Sequence, residues 1–387
     1  MKRILLALFT SFSMVNAETF EEILEKSINN DLIKSKYYEV MSYEGDIIKA
    51  KALPNPEGYI SFERLIGNNT SGNLTEFYIL QPLRLYGQRK YQTNQAEKEL
   101  QYQKLNFEAF KNTYTGNLYT LFYEALYNKY LYEIAQKEMK TSKQILDFIK
   151  KTYQLGETTK LDLLRGEKDY KFTEVKLNLS KTKYEESVKR LSGFVGFDVK
   201  DIEGDINQIR QIKDKDLTTL PQITAINSKI ESLENSYKFQ RALAKPQISL
   251  GFITKEQATG KYSAGLMLTF SIPVFYKNLG EIVNIQNQKA SFEKLHNYQL
   301  ENIKLTTAAI KESYNILKSQ LEEIDNKVLP DMKAQLSLAE KSYKLRELTL
   351  FEYLTIKSQY YELLRYRADL LMQIHKLYGE YIAIVGE

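Results

Sequence analysis

The sequence contains no cysteine and no tryptophan, and only 17 glycines, 7 prolines and 2 histidines in 387 residues. Without cysteine there can be no disulfide, no thiolate metal site, no thiol nucleophile and no lipidated N-terminal cysteine. The histidines, His296 and His375, stand far apart with no partners at ligand spacing, and read as helix-surface or seam residues. So few glycines and prolines leave few turns, and therefore long uninterrupted elements. Nothing after the N-terminus offers the roughly 18 consecutive apolar residues of a transmembrane helix. The net charge of +5 is too small to point to nucleic acid.

Apolar residues nevertheless make up 43% of the chain, with 29 tyrosines and 18 phenylalanines, against a mean hydropathy of −0.43. They must lie in stripes rather than blocks. Met1-Lys2-Arg3, a largely apolar Ile4–Val15 and Ala17 before Glu18 read as a cleavable secretory leader over residues 1–17. The apolar part is shorter than the roughly 20 residues that span a bilayer. An exported chain of this kind can enter a membrane only as a closed β-barrel, because open sheet edges cannot be left in lipid.

The chain also repeats itself. Asp31-Leu32 is echoed by Pro221-Gln222, Pro56 by Pro246, and Tyr153–Leu164 by Tyr343–Leu354, each 190 residues on. A constant offset in constant order implies a duplicated helix–strand–strand–helix–helix unit. The first repeat covers 18–200, with a β-hairpin at 58–83 and a long helical hairpin at 86–191. A connector covers 201–220. The second repeat covers 221–387, with a β-hairpin at 247–272 and a helical hairpin at 277–379.

Glu18–Ala52 reads as one helix, opened by Thr19 and Glu22 at capping-box spacing and stopped by Pro54 and Pro56. In Gly58–Ile66, Ile60, Phe62 and Arg64 alternate with Tyr59, Ser61 and Glu63. In Leu74–Leu83, Thr75, Phe77 and Ile79 alternate with Glu76, Tyr78 and Leu80. Alternation across a Gly/Asn connection signals a hairpin, and strands of this length suit a tilted membrane crossing. Asn68-x-Thr70 reads as turn chemistry rather than a glycosylation site. Gln247–Thr254 and Tyr262–Ile272 form the second pair, closed by Ser271-Ile-Pro273 as Gln81-Pro-Leu83 closes the first. From Tyr86 the helical pattern runs for about 65 residues, roughly 100 Å of helix. Beyond the break at Tyr153–Thr159, Leu163, Tyr170, Leu177, Tyr184 and Leu191 recur every seven residues, a coiled-coil stripe. Leu300–Val328 carries a comparable stripe, and after Pro330 the last hairpin runs to Gly379.

No residues assemble a catalytic site. Gly67 and Gly72 have phosphate-loop-like spacing but lack the following lysine. The charges read as solvated helix faces. The chain is thus not an enzyme, and it calls for no cofactor and no metal. Four amphipathic strands are too few to close a barrel, whose smallest common form has about eight, so strands must be pooled between subunits. The expected class is mainly α with a small β part: long coiled-coil hairpins walling an α-barrel, plus four strands given to a shared transmembrane barrel.

Over nearly its whole mature length the chain resembles the TolC-type outer-membrane efflux proteins. The resemblance rests on Thr19–Asn30, Ala52-Leu-Pro-Asn-Pro56, Gln81–Lys90, the Tyr-x-x-Gly-Glu turn at 153–157, and the repeat itself. It implies a homotrimer with a twelve-stranded barrel in contact with outer-membrane lipid, and a helical tunnel in the periplasm of a Gram-negative bacterium. It implies a passive exit duct for small molecules, drugs or metal cations. The duct would work with a periplasmic adaptor (a membrane fusion protein) and an inner-membrane transporter of RND or ABC type. A type I secretion duct and a periplasmic coiled-coil scaffold without a channel are the alternatives. Leu155, Gly156 and Glu157 match the family's adaptor-contacting tip, and Leu345, Arg346 and Glu347 hold that place in the second repeat. Arg346 stands where the family has glycine, which bears on the geometry of that turn. Asp162 matches the acidic position just beyond that tip, Glu352 falls where the family has an acidic aperture residue, and Thr355 falls where some members carry a second one; Asp162 and Glu352 are expected to line the periplasmic aperture.

Overall fold

A computed structural model gives the architecture for residues 17–67, 71–257 and 260–387; the leader apart from Ala17, and the Asn68-x-Thr70 sequon, lie outside the described residues. The element order is α1 (Phe20–Ser27), α2 (Asp31–Lys51), β1 (Glu57–Ile66), β2 (Ser71–Pro82), α3 (Gln88–Gln154) and α4 (Lys160–Val195). A 3-10 turn (Leu217–Thr219) then leads to α5 (Pro221–Leu243), β3 (Gln247–Gln257), β4 (Lys261–Ser271), α6 (Leu279–Glu323), a π turn (Ile324–Val328), α7 (Leu329–Lys344) and α8 (Leu350–Val385). The mainly helical class with a small sheet is as the scarcity of turn residues requires. Among the described residues no helix is long and apolar enough to cross a membrane.

The chain forms two compact units. One takes the chain up to Lys34, Phe110–Lys215 and Lys304–Glu387; the other takes Ser35–Ala109 and Asp216–Ile303. Each draws on both sequence repeats.

The second unit holds an antiparallel sheet in the order β1-β2-β3-β4. Ile60 pairs with Phe77 and Phe62 with Thr75, Ile79 with Phe252, and Phe252 with Leu266. Side chains alternate along a strand, so this register gathers Ile60, Phe62, Phe77, Ile79, Leu250, Phe252, Leu266, Leu268 and Phe270 on one face. All are exposed. The other face is mixed, small and polar, with Glu76 and Lys255 paired at 3.1 Å and Tyr59 stacked on Tyr78 at 4.8 Å.

In the first unit the long helices pack along their stripes. Leu163 and Leu191 are buried, and Tyr170, Leu177 and Tyr184 half-buried, as a seven-residue repeat demands. Helices α3 and α8 approach so closely that a Cβ on Gly116 would stand 2.4 Å from the Gly379 carbonyl oxygen. The connector lies on this unit. Tyr314 donates to the Arg210 carbonyl at 2.7 Å, Tyr381 to that of Lys213 at 2.5 Å, and the Arg210 guanidinium sits over Phe20 at 5.3 Å.

Two local expectations change. The single helix over Glu18–Ala52 is two helices, because Asn30 interrupts it. Its side-chain oxygen accepts the Ile33 N–H at 2.8 Å, which caps α2, and its amide donates to the Tyr114 hydroxyl at 2.8 Å. Pro330 does not break the last helical segment either. The π turn precedes it, and a widened turn relieves the clash and missing donor that proline brings to a regular helix. Asp325 in that turn is gripped by Arg367 of α8 at 2.5 and 2.9 Å.

Candidate functional site

Two helix ends and two helix starts meet at the tips of the helical hairpins in the first unit. Helix α3 ends as Gly156 takes the left-handed conformation at φ 73°. The Glu157 N–H then reaches the Thr152 carbonyl at 2.8 Å and the Gly156 N–H that of Tyr153 at 3.0 Å. This is a Schellman turn, which satisfies carbonyls the helix leaves open. Helix α7 ends identically: Arg346 has φ 65°, Glu347 N–H reaches the Ser342 carbonyl at 2.9 Å, and Arg346 N–H that of Tyr343 at 3.1 Å. The arginine therefore does not change the turn. It holds an angle that costs a side-chain-bearing residue about 1–2 kcal/mol, and its guanidinium pairs with Glu157 at 2.5 Å. Leu155 and Leu345 project into solvent beside these turns, and Glu347 is exposed too.

The helix starts also match. Thr159 Oγ1 accepts the Asp162 N–H at 3.1 Å and donates to its carboxylate at 2.8 Å. Thr349 Oγ1 accepts the Glu352 N–H at 3.3 Å and donates to its carboxylate at 2.7 Å, while Thr349 N–H donates to the same carboxylate oxygen at 2.9 Å. Both acids thus sit third in their helices, near the positive end of the helix dipole. The Thr349 hydroxyl and backbone N–H hold the Glu352 carboxyl below its ordinary range. Thr355 is exposed, and its hydroxyl is returned to the Phe351 carbonyl at 2.9 Å.

Between the tips lies a cavity of about 430 Å³ whose lining includes Thr152, Glu157, Asp162, Arg165, Tyr343 and Arg346. Burial, and then the nearby Asp162 carboxylate, push the Tyr343 phenol up to about 12. Glu157, Asp162 and Arg346 therefore share one groove. Leu155, Gly156, Leu345, Glu347, Glu352 and Thr355 stand outside its lining. Tyr343 and Leu350 in its lining belong to the apolar cluster of Ile145, Leu146, Ile149, Leu163, Ala339, Tyr343, Leu350 and Tyr353.

The two capping threonines were missed in the sequence, although Thr-x-x-Asp and Thr-x-x-Glu before an apolar run are a readable signal. So was a buried charge. Lys357 is buried on α8, donates to Ser142 of α3 at 2.7 Å, and pairs with Asp169 of α4. Its spacing of four from both Tyr353 and Tyr361 places it on the packing seam, where a lysine needs a partner. Glu138 likewise takes Lys176 at 3.1 Å and Arg365. His375 is a seam residue, its Nε2 against the Ile206 carbonyl at 2.7 Å and its Nδ1 against the Tyr119 hydroxyl at 2.9 Å. His296 is half-buried and bonded locally to Asn297.

No protein-family model matches the chain, and no curated protein matches it. Solved structures do. The chain is similar to the outer membrane channel CmeC of Campylobacter jejuni at 14% identity, with 95% of this chain and 85% of that one covered and a TM-score of 0.73. It is similar to the outer membrane protein VceC of Vibrio cholerae at 12% identity, covering 95% and 96%, TM-score 0.77. The open state of the Neisseria gonorrhoeae outer membrane channel MtrE matches at 12% identity, covering 95% and 89%, TM-score 0.78. At these identities the likeness is one of fold, and the fold is that of the TolC-type outer-membrane channels.

Proposed function

We propose that this chain, folded as a TolC-type channel, is the outer-membrane exit duct of a tripartite efflux pump. The observation that carries the reading is the two-faced sheet. Among the described residues its apolar face is exposed, and its end strands β1 and β4 each have one unpaired edge. Unpaired backbone groups cannot remain in lipid, so copies must pool strands, and three copies supply a barrel of twelve. The helical hairpins then wall the periplasmic part of the path. The duct is passive, the export of small molecules being driven by an inner-membrane transporter through a periplasmic adaptor. A secretory leader at 1–17 suits this location.

The hairpin tips are the adaptor contact in this reading, with Leu155 and Leu345 as exposed apolar knobs beside Glu157, Arg346 and Glu347. Asp162, Glu352 and Thr355 belong to the periplasmic mouth. Three copies of an acidic residue around an axis attract cations.

Purified protein should require detergent for extraction and should conduct ions once reconstituted in a planar bilayer, with a cation preference that falls in Glu352→Gln. Extraction in plain buffer without conductance would favour a periplasmic scaffold and overturn the duct. Conductance with unchanged selectivity would remove Glu352 from the mouth.

A further inference from the structure

The internal repeat fixes how one copy's sheet joins the next. Pro246 lies 190 residues after Pro56, and Pro273 lies 191 after Pro82. With those offsets the first hairpin maps onto the second pair by pair: Glu57 with Leu80 becomes Gln247 with Ser271, and Ile60 with Phe77 becomes Leu250 with Leu268. The hairpins are therefore equivalent in register. Between them, β2 pairs with β3, with Tyr78 opposite Ile253, Leu80 opposite Gly251 and Gln81 opposite Leu250.

We propose that β4 of one copy pairs antiparallel with β1 of a second copy in this same register, an inference that rests on the pooled-barrel reading above. Carrying β2 onto β4 and β3 back onto β1 sets Thr269 opposite Glu63, Ser271 opposite Ser61, Phe270 opposite Phe62, and Leu266 opposite Ile66.

The offsets were taken from prolines and hairpin pairings alone, so the side chains are an independent check. In this register the apolar face of β4 continues onto the apolar face of β1. A slip of one residue would set Leu266, Leu268 and Phe270 against the face of Ser61 and Glu63. The exposures agree as well. Phe62, Ile66 and Leu266 on the edge strands are 80%, 83% and 85% exposed, whereas Phe77 and Phe252 on the central strands are 39% and 43%. The edge residues lack the cross-strand neighbour that the central ones have, and the proposed register supplies it.

The chain has no cysteine, so disulfide cross-linking reads the register directly. By analogy with Leu83, whose N–H reaches the Ile248 carbonyl at 2.9 Å, the pair of Ser61 with Ser271 is a non-hydrogen-bonded one. Its Cα separation of about 4.5 Å lies inside the roughly 4.4–6.8 Å that a disulfide spans. Within one chain these residues stand on opposite edges of the sheet, three strand spacings or about 14 Å across, and Ser271 lies eight residues further along β4 than Ser263, which is level with Ser61, so any bond joins two copies.

Four double variants test the proposal on membrane-inserted protein under mild oxidation: Ser61→Cys with Ser271→Cys, Glu63→Cys with Thr269→Cys, and the crossed pairs Ser61→Cys with Thr269→Cys and Glu63→Cys with Ser271→Cys. The first two should give reductant-sensitive ladders of linked chains, and the crossed pairs should stay monomeric on denaturing gels. Single-cysteine parents that insert and conduct normally show that the substitutions are tolerated. Cross-linking confined to a crossed pair overturns the register and leaves the duct intact. Absence of cross-linking in all four, with conductance retained, overturns pairing between these edges. Loss of insertion and conductance by the unsubstituted chain is instead a failure of the duct reading.

Discussion

Arg346 and Glu157 face each other across the two hairpin tips at 2.5 Å, and each belongs to a Schellman turn of the same backbone form. One turn reaches its left-handed angle with glycine and the other with arginine. The arginine is strained, and the ion pair it makes is exposed and contributes about 0–1 kcal/mol.

Arg346→Gly removes the strain together with the pair, whereas Arg346→Ala keeps the strain and loses the pair. Glycine should therefore be the more stable variant, by about 1 kcal/mol. Thermal unfolding of the two proteins in detergent gives the order, and alanine at or above glycine would contradict the strain.

Thr349→Ala and Thr159→Ala each lose a helix cap and should each cost about 1 kcal/mol. Glu352→Gln keeps an oxygen acceptor for the Thr349 N–H and should cost less than Thr349→Ala. That ordering matters for the conductance test, since a selectivity change in Glu352→Gln can then be separated from damage to the fold. Parallel denaturant titrations of the three variants decide it.

His375 is held neutral. Nε2 faces a carbonyl and so carries the proton, which leaves Nδ1 to accept from Tyr119. Burial, with Arg210 adding to it against the opposing Ile206 hydrogen bond, pushes the imidazole down to about 4. The folded value lies below the unfolded one of about 6.5, so between the two the unfolded chain binds the proton and the folded chain does not. Stability is full above about pH 6.5 and falls by up to about 3 kcal/mol on acidification towards pH 4. His375→Gln can make both hydrogen bonds without titrating, so its unfolding midpoint should be flatter over that window. A slope equal to that of the unsubstituted protein would exclude His375 as its source.

Asp169→Asn leaves the Lys357 ammonium buried with Ser142 for company. It should destabilise the first unit by about 3 kcal/mol, at the low end for breaking a buried pair because Asp169 is partly open to solvent. Lys357→Met combined with Asp169→Leu should recover most of that loss. Unfolding of the single and double variants forms the test, and equal losses in both would argue against a shared pair.

The elements with strict periods were legible from the sequence: the seven-residue stripe through Leu163 and Leu191, and the alternation that puts Ile60 and Phe77 on one face. These follow from local geometry. Asn30 caps Ile33 locally, but the bond of its amide to Tyr114, 84 residues away, was not legible. Pro330 was misleading, since a π turn that ends two residues before it lets the helix through. At the tips, the sequence located both turns but suggested a changed geometry at Arg346. Backbone hydrogen bonds impose the same turn on both residues, at a strain that residue type alone does not reveal. Lys357 is legible only once Asp169 and Ser142 are known to stand beside it.

The two-faced sheet also governs how the chain can change in length. A strand that must keep Leu266, Leu268 and Phe270 on one side cannot lose a single residue without turning everything beyond the gap over. Insertions and deletions inside the strands are thus confined to even numbers, or to pairs that cancel. The connections at the hairpin ends are free of that rule. The one-residue difference between the 190 and 191 offsets falls between β3 and β4, where an odd change can be absorbed. In a lineage of such chains, parity would be kept in the strands and drift would collect in the turns.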